Sequence, residues 1–165
     1  MSVELPFAPV DAIIRRNAGD LRVSADAAEA LARRIQTHGA TLATAAADRA
    51  TDDGRKTLMA EDFGRAASDG GTPRDTPREA ADGADAPTEE PTLPIAPVDR
   101  IARLDIDDRY RVSREARVEL ATVLEAYAED VAAAAAVLAH HADRRTVIAA
   151  DVETYFDLDD YFPPG

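Results

Sequence analysis

The side chains able to do chemistry in this chain are its 18 arginines, one lysine, three histidines and 32 carboxylates, with no cysteine. The arginines fall into a pattern. Arg22-Val23-Ser24 returns as Arg111-Val112-Ser113. Arg55-Lys56-Thr57, followed by Asp62, returns as Arg144-Arg145-Thr146, followed by Asp151. Enzymatic patterns are missing: there is no HExxH, no P-loop and no nucleophile elbow. Of the three histidines, His140 and His141 are adjacent, so on a helix they point about 100° apart and cannot chelate one ion together, and His38 stands apart. The carboxylates are dispersed, as on a solvated surface. The sequence therefore predicts no enzyme, no metal, no cofactor and no small-molecule substrate.

The elements that must position these arginines also repeat. LPFAPVDAI (5–13) returns as LPIAPVDRI (93–101), offset by 88 residues, while the other two blocks are offset by 89. Three blocks in one order at nearly constant offset mark a duplication with one residue gained between them. Each copy reads as short helix, long helix, short helix. Pro9 and Pro97 sit where a first helix begins, because proline is tolerated in the first turn. Ser24 and Ser113 are good N-caps, with Asp26 and Glu115 near the positive helix end. Apolar positions then recur at helical spacing, at Ala27, Leu31, Ile35, Leu42, Ala45 and Ala46 in the first copy. In the second they are Ala116, Leu120, Leu124, Tyr127, Val131, Ala135 and Leu138. Brief extended segments at Lys56-Thr57-Leu58-Met59 and Arg145-Thr146-Val147-Ile148 precede a last helix from Ala60 or Ala149.

A long helix of about 28 residues at about 1.5 Å each spans roughly 40 Å, too long for one half of this chain to cover alone. Two halves could cross their long helices and cover each other. Residues 68–91 carry four Pro, three Gly and net charge -5, with no large apolar residue, and read as a flexible spacer. A spacer makes the pairing intramolecular. The expected organisation is all-α: a first fold at 1–67, a linker at 68–91 and a second fold with an acidic end at 92–165, forming one pseudo-symmetric unit.

The net charge is -13, with 21 Asp against 11 Glu and 36 Ala. An acidic, lysine-poor composition of this kind is similar to that of proteins from organisms that keep molar salt in the cytoplasm. At such salt the Debye length is about 3 Å, which nearly abolishes self-repulsion. The uncharged stretch 131–142 is too short to cross a bilayer, and the opening residues lack a secretory pattern. With no disulfide framework, a cytoplasmic protein with no membrane partner is expected.

The motifs LPFAPVDAII, RVS, GRKT and AED, repeated as LPIAPVDRIA, RVS, DRRT and AAD, resemble those of archaeal histones, in the haloarchaeal form with two histone folds fused in one chain. The resemblance covers nearly everything except the linker and the acidic end. It implies a handshake of two three-helix folds with double-stranded DNA following the convex surface, and a protein associated with the chromosome or nucleoid. It assigns Arg22 and Arg111 to inward-facing minor grooves, where arginine reads width and potential without a fixed sequence. It assigns Lys56, Thr57, Arg145 and Thr146 to phosphates, and makes Arg55–Asp62 and Arg144–Asp151 structural clamps. The first-helix phosphate contact falls on Arg100, whereas Ala12 replaces it in the first copy; Arg15, Arg16 and Arg103 could partly compensate. Ala28 likewise stands where the family, like Arg117 here, has arginine.

The same resemblance implies a chain–chain contact through Leu138, His141 and Asp151. The first copy has Arg49 and Asp52 in place of the leucine and histidine, so Asp62 would meet a carboxylate. Two chains could then join through their second copies without propagating a filament. The functional expectation is DNA binding in chromosome organisation or transcription regulation. The alternative is a histone-fold protein–protein module with little direct DNA contact, since fold alone does not decide function.

Overall fold

The computed structural model describes residues 3–69 and 92–161. Residues 70–91, nearly all of the expected linker, lie outside the described residues, as do the first two and last four. In chain order the elements are α1 (Phe7–Ala18), β1 (Arg22–Val23), α2 (Ala25–Asp52), β2 (Thr57–Leu58) and α3 (Ala60–Asp69). The second half repeats them as α4 (Ile95–Ala102), β3 (Arg111–Val112), α5 (Arg114–His141), β4 (Thr146–Val147) and α6 (Ala149–Tyr161).

Local chemistry sets the ends of the long helices. The Ser24 hydroxyl accepts from the Ala27 N–H at 3.2 Å, and the Ser113 hydroxyl from the Ala116 N–H at 3.1 Å. Both helices then run 28 residues. Each stops on a left-handed residue, Gly54 (φ 72°) in the first half and Asp143 (φ 56°) in the second. There the next N–H, of Arg55 or Arg144, turns back to the carbonyl of Ala50 or Ala139.

The residue gained between the repeats lies after the first helix. While α1 runs 12 residues, α4 runs 8 and gives way to an Asp-rich turn in which Asp107 accepts the Arg109 N–H.

Every short helix packs on both long ones, so one core serves both halves. Of the positions expected to be apolar, Leu31, Ile35, Leu120, Leu124 and Val131 are fully buried, whereas Ala45, Tyr127 and Leu138 are half-buried. At the crossing of α2 and α5, the equivalent residues His38 and Tyr127 stack with ring centroids 4.1 Å apart. Beside them Gly39 lets the helices approach: a Cβ there would lie 2.7 Å from Ile101 Cγ2 and 3.1 Å from Leu124 Cδ1. The α6 side is aromatic, with Phe156 6.2 Å from Tyr127 and Arg34 lying 4.2 Å over the Phe156 ring. No helix among the described residues is long and apolar enough to cross a membrane.

Candidate nucleic-acid interface

Four two-residue strands build the two ends of the molecule, and they pair between halves. In parallel register, β1 sets Arg22 against Thr146 and Val23 against Val147 of β4. The Arg22 N–H donates to the Arg145 carbonyl at 2.8 Å, and the Ser24 N–H to that of Val147 at 3.0 Å. The other end mirrors it. Thr57 faces Arg111 and Leu58 faces Val112, with the Arg111 N–H 2.8 Å from the Lys56 carbonyl. Each end thus unites the arginine of one half's RVS motif with a cation and a threonine from the other half. Arg22, Lys56, Arg111 and Arg145 are exposed and, among the described residues, form no salt bridge.

Behind each end a guanidinium grips a buried carboxylate. Arg55 donates both terminal nitrogens to Asp62, each at 3.0 Å, and also reaches the Thr57 carbonyl at 2.8 Å. Arg144 donates to Asp151 Oδ2 at 2.6 Å, to Oδ1, and to the Thr146 carbonyl at 3.2 Å. The same carboxylates accept the N–H groups of Met59 and Ile148 at the starts of α3 and α6. Burial pushes the Asp62 and Asp151 carboxyls up, but the arginines and these N–H donors outweigh it and hold both below the ordinary value. One fork therefore ties loop carbonyl, loop and last helix into a rigid support for the strand that presents the cations.

The first-helix arginines have different surroundings. Arg15 pairs with Asp11 at 2.6 Å, Arg100 with Glu4 at 3.0 Å, and Arg103 with Asp99 at 3.2 Å. Arg16 reaches across the halves to Glu129 and, at 3.2 Å, to Glu125 on α5. Hydrogen bonding to Glu129 is the largest influence raising its pKa. Arg117 lies 3.1 Å from Asp99; in the first half Ala28 offers no such partner, and Asp11 Oδ1 is buried without a hydrogen bond among the described residues. Sequence reasoning missed these counter-charges. The i,i+4 spacing of Asp11–Arg15 and Asp99–Arg103 is a signal for two of them; nothing local points from Arg16 to Glu125 and Glu129.

At the far end of α5, Leu138 is half-buried, His141 exposed and Asp151 buried under Arg144. At the matching end of α2, Asp52 is exposed, and Arg49 lies where its charge acts on Asp62.

The family model described as histone-like transcription factor (CBF/NF-Y) and archaeal histone matches twice, at residues 3–66 and 91–154. Over 59 residues the chain is 48% identical to a component of the archaeal histone HAN1 of Thermococcus zilligii, covering 36% of this chain and 87% of that protein. The crystal structure of the histone from Methanopyrus kandleri is similar with a TM-score of 0.63 at 28% identity, covering 90% of this chain and 91% of that one. Two matches cover both described halves. The chain belongs to the family of histone-like transcription factors and archaeal histones.

Proposed function

We propose that this protein is a DNA-binding histone that touches double-stranded DNA mainly at its two loop ends, with a first fold at 1–67 and a second at 92–165 joined by the linker. The observation that carries the reading is the strand pairing between halves. It groups Arg22 with Arg145 and Thr146, and Arg111 with Lys56 and Thr57, leaving four cations free of carboxylates among the described residues. Arg22 and Arg111 are suited to narrow minor grooves, and the lysine, arginine and threonines to flanking phosphates.

Charge limits how such a protein acts. Neutralising four phosphates gives a slope of log K against log salt of about -3.6, so affinity falls about 10²-fold between 50 and 200 mM salt. With net charge -13, the same physics disfavours bulk coating of a genome in molar salt. Sparse binding at deformable sites, as in transcription regulation from within the nucleoid, fits better.

The test is DNA binding by fluorescence anisotropy from low to molar KCl, comparing wild type with R22A/R111A. The variant is expected to bind more weakly at low salt, with a shallower slope. Equal binding at every salt would sink the reading in favour of a protein–protein module. Self-association belongs to the same proposal: two chains join through Leu138, His141 and Asp151 of their second folds, while Asp52 repels at the first.

A further inference from the structure

Resting on the loop-end reading of DNA contact, we infer that Glu125 and Glu129 are built-in competitors of phosphate, which seat Arg16 on α5 and withdraw it from DNA. Arg16 is on α1, only six residues before Arg22, so its guanidinium is close in the chain to a cation proposed to bind. Its partners come from the other half. Glu129 and Glu125 both accept from it, and its other nitrogen donates to the Thr92 hydroxyl at 3.2 Å. One cation against two carboxylates leaves this spot at -1, so an approaching phosphate meets repulsion where a free arginine would attract it.

Glu125 has a second task that identifies which part of the arrangement is structural. Its Oε2 accepts the Thr92 N–H at 2.9 Å, fixing the chain just before α4. The equivalent contact in the first half is the Glu4 N–H donating to Gln36 Oε1 at 2.7 Å. Gln36 shows that an uncharged amide serves this docking equally well. The negative charge at 125 is therefore surplus to the docking, and Glu129 takes no part in it. What the two charges do is hold Arg16.

Both carboxylates contact the Arg16 guanidinium directly, so a phosphate would have to displace them to reach it. The carboxylates thus set an upper limit on affinity for DNA, and they make the loop ends the determinants of binding.

The experiment measures anisotropy against KCl for wild type, E125Q/E129Q, and R16A/E125Q/E129Q, each full length, with melting temperatures in the same buffers. Glutamine at 125 retains the acceptor for Thr92. E125Q/E129Q is expected to bind several-fold tighter at low salt with a slope steeper by about 0.9, one added phosphate contact. Adding R16A is expected to restore the wild-type slope. An unchanged slope in E125Q/E129Q, or a triple variant that keeps the steeper slope, overturns the inference. R22A/R111A runs alongside: if it binds like wild type, the loop-end reading itself fails, an outcome distinct from the other two.

Discussion

Asp62 and Asp151 illustrate how much one carboxylate can organise. Each takes two nitrogens of an arginine seven residues upstream and the N–H that opens the last helix. Because both carboxyls are held below their ordinary value, they favour folding when ionised. Their contribution is complete above the unfolded value of about 3.9 and disappears as pH falls through the folded one. Thermal melts of wild type should therefore lose stability progressively below about pH 4. D62N/D151N should be less stable at neutral pH and show a flatter acid limb. A variant with the wild-type acid limb would assign that limb to other groups. The resemblance to archaeal histones implies this pairing, at a seven-residue spacing that both halves repeat. The seat of Arg16 was not visible in the sequence, because Glu125 and Glu129 are more than 100 residues away and come near only when the halves cross.

Among the elements, the long helices were legible because each carries its own start signal. Ser24 and Ser113 cap as their type and position suggest, and the apolar spacing follows the buried face. The shortness of α4 was less legible, since the one-residue change in offset located an insertion without saying that the helix would end a turn earlier. Nor did periodicity mark Gly39, whose importance comes from Ile101 and Leu124 of the other half. Alanine at 39 would gain about 1 kcal/mol of helix propensity but force a methyl to 2.7 Å from a branched, buried side chain. Overpacking of this kind costs about 1–3 kcal/mol, so Gly39→Ala is expected to lower the melting temperature. A melting temperature at or above wild type would mean that Ile101 yields without strain.

At the scale of the whole molecule, two similar halves make an object whose ends differ in what they offer another chain. The α5 end carries Leu138 and His141; the α2 end carries Arg49 and Asp52. If self-association is confined to the second fold, sedimentation of the protein on long DNA should give discrete species no larger than two chains per assembly. Long stacked fibres would contradict that. The net charge of -13 is also unevenly compensated over the surface. Among the described residues Arg22, Lys56, Arg111 and Arg145 at the two loop ends form no salt bridge, while α1 and α4 hold Arg15, Arg16, Arg100 and Arg103 against carboxylates. Composition alone gave the total and not this distribution, because neutralisation depends on contacts, some within one helix and some between halves.

The crossed pairing of β1 with β4 and of β2 with β3 has a consequence for how such a gene can change. After duplication, two copies are usually free to drift apart, one retaining the old role while the other explores. Here neither copy owns a complete end. On the proposed DNA-binding reading, a substitution at Arg22 impairs a surface that also needs Arg145 and Thr146, and one at Lys56 impairs the surface of Arg111. Inheritance therefore couples each loop of one copy to the opposite loop of the other, and specialisation can proceed end by end but not copy by copy.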